Sequence, residues 1–132
     1  MSLTFAQLDQ QQGPPQFPEN SEEKTAAAEW YRSVYEIPLD RLSHHDMARA
    51  CDWEIHREAV IPVALELLEE DIIESGMYNV ELITSLIRIA PTFWVKHDSW
   101  LQPLKLMIQN GRDAFPPDVL KEAREFLVKV SR

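Results

Sequence analysis

The sequence predicts an all-α protein: a single compact domain of about six helices packed in antiparallel pairs, with an irregular N-terminal tail. Three observations carry this. Apolar side chains return every three or four residues along most of the chain, and no useful length alternates polar and apolar residues as a strand would. Only three glycines occur. Five of the nine prolines, Pro14, Pro15, Pro18, Pro116 and Pro117, fall in the tail or at a helix start, so they do not argue against a helical body. The 132 residues suffice for one real core; a chain of this size buries roughly 68% of its unfolded surface.

Residues 1–20, MSLTFAQLDQQQGPPQFPEN, read as the tail. Gln10 to Gln12 are polar, and Gly13-Pro14-Pro15 and Pro18 oppose a helix. Leu3, Phe5, Leu8 and Phe17 give the tail side chains that can dock on the body. Residues 21–132 read as the helical domain. Its first helix is expected from Ser21 to Glu36, capped by Asn20, with Glu22 and Glu23 in the first turn. Ala27, Trp30, Tyr31 and Val34 form its buried face, and Pro38 ends it.

Ser43 caps the next helix, with Asp46 where a capping box more often has Glu or Gln. Met47, Ala50, Cys51, Glu54 and Ile55 follow one helical face, which places Cys51 on the apolar side. The run AVIPVALELL, Ala59 to Leu68, is the central helix, with Pro62 in its first turn or kinking it. Gly76 stops it. Asn79 caps a helix whose face is Val80, Ile83, Leu86 and Ile87. Pro91 opens another, offering Phe93, Trp94, Trp100, Leu101, Leu104 and Ile108 to the core, which Pro103 kinks or divides and Gly111 ends. Pro116 and Pro117 open the last helix, with the stripe Leu120, Ala123, Leu127 and Val130.

Charge narrows the function classes. The net charge is −9. Residues 1–90 hold 6 basic and 17 acidic side chains, net −11, whereas residues 91–132 hold 7 and 5, net +2. Such an acidic surface repels nucleic acid and anionic membrane and attracts basic partners at rates that salt suppresses. A single cysteine excludes an intrachain disulfide and fits a reducing cytosol. No charged n-region precedes an apolar h-region, and no apolar run reaches the ~18 residues that span a bilayer. A cytoplasmic protein, a monomer or weak dimer without cofactor or metal, is the expectation.

The stretch Ser43–His56, SHHDMARACDWEIH, has the residue types of a metal or acid/base site. Its spacing argues otherwise. Ligands from one helix sit at i, i+4, but His44 pairs with Ala48 and His45 with Arg49. Only Asp52 and His56 are so spaced, and only on an unbroken helix. Cys51 belongs to the packed face, where a free cysteine behaves as a small hydrophobe. No nucleophile elbow, phosphate loop or paired CxxC occurs. His97-Asp98 reads as solvated surface. Trp30, Trp53, Trp94 and Trp100 serve the core or a partner surface, because the charge is wrong for stacking on nucleic acid. An enzyme is therefore not expected.

The acidic signal remains. Glu66, Glu69, Glu70, Asp71 and Glu74 cluster between two apolar segments. They form either a solvated helix face or a carboxylate surface for a basic partner. Trp53 and His56 are candidate neighbours of that surface. On charge alone the partner could equally be one bound by an acidic helical adaptor or regulator.

Several segments together resemble the immunity proteins of bacterial contact-dependent growth inhibition systems. They are EIPLDRLSHHDMARA, AVIPVALELLEED, SGMYNVELITSLIRIAPTFW and, more weakly, SLTFAQLD followed by GPP. The family's Pro-Leu before a capped helix is similar to Pro38-Leu39. Its central I-P-x-A-L-E-x-L is Ile61 to Leu68, its Y-x-x-E/D-L-L is Tyr78 to Ile83, and its Phe-Trp is Phe93-Trp94. The chain departs from the pattern at Cys51-Asp52-Trp53 and at Val80, so the resemblance does not name the toxin. It implies a cytoplasmic, non-catalytic protein that binds the toxic C-terminal domain delivered by a sibling cell, often a nuclease and hence basic, and blocks it. The interface residues above come from charge and expected exposure, not from the family.

Overall fold

The computed structural model describes residues 3–75, 80–111 and 115–131, with the side chains of 71–75 set aside. The described residues form α1 (Phe5–Gln12), α2 (Ser21–Val34), a short 3-10 helix (Leu39–Arg41), α3 (His44–Asp52), α4 (Arg57–Ser75), α5 (Val80–Ile87), α6 (Pro91–Lys96), α7 (Asp98–Gly111) and α8 (Pro117–Val130). The all-α expectation stands. The helix number does not: eight α-helices occur among the described residues where about six were expected. The two additional ones are α1 and the piece made when the Pro91 helix divides. The expected stop at Gly76 and cap at Asn79 lie outside the described residues.

The first addition corrects the irregular tail. Gly13 and the prolines end a helix there instead of preventing one. Thr4 and Gln7 form a capping box: the Gln7 backbone N–H donates to the Thr4 hydroxyl at 3.2 Å, and the Gln7 amide oxygen accepts from the Thr4 N–H at 2.9 Å. Gly13 closes the helix in a positive-φ conformation (φ 87°), with its N–H on the Asp9 carbonyl at 2.8 Å. Phe5 and Leu8, one turn apart, are both buried. Phe5 packs on Tyr31, Trp30 and His56 with ring centroids 5.0, 5.9 and 5.9 Å away.

A polar knot holds the other side of α1. The Asp9 carboxylate accepts from the Tyr31 hydroxyl and pairs with His56 Nε2, each at 2.8 Å. The His56 and Asp9 side chains are only 6% and 14% exposed. Breaking a nearly buried pair strands the remaining polar groups, so Asp9→Ala should cost about 2–4 kcal/mol. Urea unfolding measures this; a loss under about 0.5 kcal/mol would mean that Phe5 and Leu8 alone seat the helix.

The turn from α3 to α4 is a Schellman motif without glycine. The Ile55 N–H reaches back to the Ala50 carbonyl at 2.8 Å and the Glu54 N–H to that of Cys51 at 3.2 Å. Glu54 takes the left-handed position (φ 57°), and Ile55 and Ala50 are both fully buried beside it. His56 is also left-handed (φ 46°). Two such residues outside glycine are strained. Ile55 in the core and the imidazole on Asp9 hold them there. The expectation that Glu54 continues the helical face is corrected: the helix ends at Asp52, and Glu54 is exposed.

The core centres on α5, where Leu82, Ile83 and Leu86 are fully buried. α3 and α8 both pack on α5, α4 packs on α3 and α7, and α6 bridges α7 and α8. Val60, Ile61, Ala64 and Leu68 of α4 are fully buried. Pro62 lies in the second turn of α4 and is accommodated within the helix. The division of the Pro91 segment occurs at His97 (φ −125°, ψ 57°), not at Pro103, which sits inside α7. The His97 carbonyl accepts from the N–H groups of Trp100 and Leu101, starting α7. Its ring stacks on Trp100 at 4.5 Å and leans on Phe93 at 4.6 Å, so His97 is half-buried and not simple solvated surface. In α8 the buried stripe is Val119, Ala123, Phe126 and Val130, with Leu120 and Leu127 flanking it.

Candidate partner-binding surface

The acid/base constellation in the opening of α3 comes apart in three dimensions. His45 turns outward, its Nδ1 2.8 Å from Glu81 and its Nε2 accepting from Arg49 at 2.7 Å. Asp52 is exposed at the helix end, and the broken helix separates it from His56, which faces Asp9. Cys51 is buried. Burial pushes its thiol from an ordinary 9.0 up to about 12, with Asp52 adding to the rise and Arg57 opposing it. Among the described residues no three His, Cys, Asp or Glu side chains are placed to hold a metal ion.

The Cys51 shift has a consequence for stability. Above pH 9.0 the unfolded chain loses this proton, while the folded chain holds it up to about pH 12. Stability is therefore complete below the lower value and declines by roughly 1.4 kcal/mol per pH unit between the two. Urea unfolding of the protein and of Cys51→Ala should show the difference between them shrinking by about 2 kcal/mol as pH rises through this window to about 10.5. Curves that stay parallel would contradict the buried thiol.

Of the residues predicted for a partner surface, Glu66, Glu69 and Glu70 are exposed on α4. Their i, i+3, i+4 spacing puts them on one helix face. No cation among the described residues pairs with any of them. Asp71 and Glu74 belong to the same helix, but their side chains lie outside the described residues. Across its length α4 has one basic residue, Arg57, and its last turn has none. Like charges at i, i+4 and acids toward a helix C-terminus are each unfavourable by a few tenths of a kcal/mol.

Trp53 is placed elsewhere, at the C-terminal end of α3, about half-buried. Arg49 lies over its ring, 5.4 Å from the centroid, and Trp30 packs against it edge-on at 5.6 Å. His56 does not join either place, because its imidazole points inward. Sequence reasoning missed the company Trp53 keeps. Phe17, Glu19, Glu23, Asp52 and Glu54 line one hollow with it. These come from three separated segments, so no linear spacing signals them.

The family profile of CDI immunity proteins matches residues 11–104. The chain belongs to the CDI immunity protein family. No curated protein and no solved structure matches it. The region matched by the immunity family runs from the end of α1 into α7 and leaves α8 outside. The residues that carry the likeness to immunity proteins are largely core: Leu39, Ile61, Ala64, Leu68, Leu82, Ile83 and Trp94 are all buried. They account for the scaffold. Glu66, Glu69 and Glu70 of α4 and the surroundings of Trp53 lie on its outside. No described helix is long and apolar enough to cross a membrane.

Proposed function

We propose that the chain neutralises the cognate toxin domain of a contact-dependent growth inhibition system by binding it one-to-one, and that the toxin is a basic nuclease. The protein acts in the cytoplasm of the bacterium that makes the toxin, without cofactor and without a reaction of its own. The observation that carries this reading is the row of carboxylates Glu66, Glu69 and Glu70, exposed on α4 and unpaired among the described residues, in a chain of this family. The row weakens its own helix, so it does not serve the fold, and a basic partner gives it a role. Asp71 and Glu74 are proposed to extend it, with Trp53 acting from the neighbouring end of the molecule and His56 supporting Trp53's turn from within. A nuclease has to hold phosphates and is accordingly basic. An acidic inhibitor approaches it under long-range attraction, and its carboxylates occupy places that phosphates would take.

Co-expression tests this. The toxin domain encoded directly upstream, expressed in susceptible cells, should stop growth and degrade nucleic acid. The same cells carrying this chain should grow. Undiminished toxicity in its presence would refute the proposal.

A further inference from the structure

We infer that Asp9 is a positioning residue for recognition: through it α1 acts as a strap that sets the α3–α4 turn, and Trp53 is held in place for the partner only while α1 is docked. This rests on the reading above that Trp53 takes part in binding the toxin domain, and it names what holds Trp53 ready. Two lines of contact run from α1 to Trp53. The first passes through rings. Phe5 is fully buried and lies edge-on to Trp30 at 5.9 Å, and Trp30 lies edge-on to Trp53 at 5.6 Å. The second passes through the backbone. Asp9 holds the His56 imidazole at 2.8 Å, and Trp53, the C-cap of α3, stands three residues before His56.

The turn itself shows which way the dependence runs. Glu54 and His56 are both left-handed, at φ 57° and 46°. Each such residue that carries a side chain is disfavoured about tenfold against its ordinary conformations. Two in one turn need support from outside it. Ile55 supplies part from the core. The rest comes through His56 from Asp9, whose carboxylate the Tyr31 hydroxyl also holds at 2.8 Å. The exposed Glu54 side chain adds only a contact to Arg57 at 3.4 Å, among the described residues.

The support comes and goes as a unit. α1 has eight residues, too few to hold a helix in water without docking, and Gly13-Pro14-Pro15 follows it. Asp9 and Phe5 sit on this one helix, so both lines to Trp53 are made or broken together. Two states result. In one, α1 is docked, the turn is left-handed and Trp53 lies against Trp30. In the other, α1 is detached and the turn relaxes. A partner that binds the first state draws α1 down, and by the same coupling a change that detaches α1 weakens the partner.

The test uses the full chain, labelled with nitrogen-15. The Trp53 indole resonance, identified with Trp53→Phe, reports the ring. Hydrogen exchange at the Ile55 amide, which closes the turn on the Ala50 carbonyl at 2.8 Å, reports the turn. Exchange at the buried Leu86 of α5 reports global unfolding. Asp9→Ala should move the Trp53 resonance and speed exchange at Ile55 about tenfold more than at Leu86. Asp9→Asn keeps an oxygen for Tyr31 and His56, so it should show the same changes at smaller amplitude in a more stable chain. Glu54→Gly suits the left-handed position and removes no bond to α1. It should reverse both changes when added to Asp9→Ala. Exchange at Ile55 that rises only as much as at Leu86, a Trp53 resonance that stays in place, or a glycine that reverses nothing would overturn the inference. A second arm uses the toxin domain, whose affinity should fall about tenfold with Asp9→Ala and return with Asp9→Ala/Glu54→Gly. Toxin binding that withstands Asp9→Ala overturns the inference and leaves the proposed function standing. A toxin domain that does not bind the unaltered chain overturns the function, while the first arm still decides whether α1 sets Trp53.

Discussion

Trp94→Ala is expected to destabilise the protein by about 3–5 kcal/mol. Trp94 is fully buried where α6 meets α5 and α8. Its ring packs edge-on against Phe126 at 6.2 Å and Phe93 at 5.6 Å. Its indole N–H donates to the Leu86 carbonyl at 3.1 Å. Truncation removes the ring, leaves a cavity between three helices and deletes that bond. The Leu86 carbonyl keeps the Ile89 N–H at 3.2 Å, so the loss is chiefly one of packing. A domain of this size has only about 5–15 kcal/mol of stability, so the variant should lose a large share of it. Urea unfolding of Trp94→Ala beside Trp94→Phe, which retains an aromatic ring, checks this. A loss under about 1 kcal/mol for the alanine variant would contradict the central role given to the α5–α6–α8 junction.

The second large effect is on recognition. Reversing Glu66, Glu69 and Glu70 to lysine together should reduce the association rate with the toxin domain by roughly 10²- to 10³-fold at low salt, and abolish growth protection. Folding should survive, because all three side chains are exposed and unpaired among the described residues. Three lysines repel one another as three glutamates do, but positive charge toward the C-terminus of α4 suits the helix dipole, so the free protein should stay about as stable. A stable variant that fails to protect separates recognition from folding, whereas Trp94→Ala fails through folding. Full protection by the triple variant would remove α4 from the interface.

Much of the fold was legible because caps and periodicity agree locally. Asn20 caps α2 through the Glu22 and Glu23 N–H groups, and Ser43 caps α3 through that of Asp46. The carboxylate of Asp46 does not return the capping bond and instead accepts from the Trp30 indole at 3.0 Å, which ties α3 to α2. The errors have equally local causes. Thr4 and Gln7 carried a capping-box signal that the nearby Gly-Pro-Pro masked. Glu54 occupies a position that ordinarily announces itself as glycine, so nothing in the sequence marks the end of α3. At His97, a residue without helix-breaking chemistry starts a new helix because its ring prefers the Trp100 and Phe93 faces. Pro103 lies well inside α7, and the helix continues through it.

The candidate surface was legible only where it is linear. A single helix carries Glu66, Glu69 and Glu70, so spacing and charge sufficed to place them together. The hollow joins Phe17, Glu19 and Glu23 to Asp52, Trp53 and Glu54, and its existence depends on how the segment before α2 lies over the α3–α4 turn. His56 looked like surface chemistry by residue type. A left-handed backbone and the Asp9 carboxylate turn it inward.

The most direct test of the account is the binding of this purified chain to the toxin domain encoded upstream, measured at low and at high salt. The account predicts a one-to-one complex whose association rate falls steeply as salt rises, while the dissociation rate changes little. Binding that is absent, or an association rate indifferent to salt, would contradict recognition through the acidic surface.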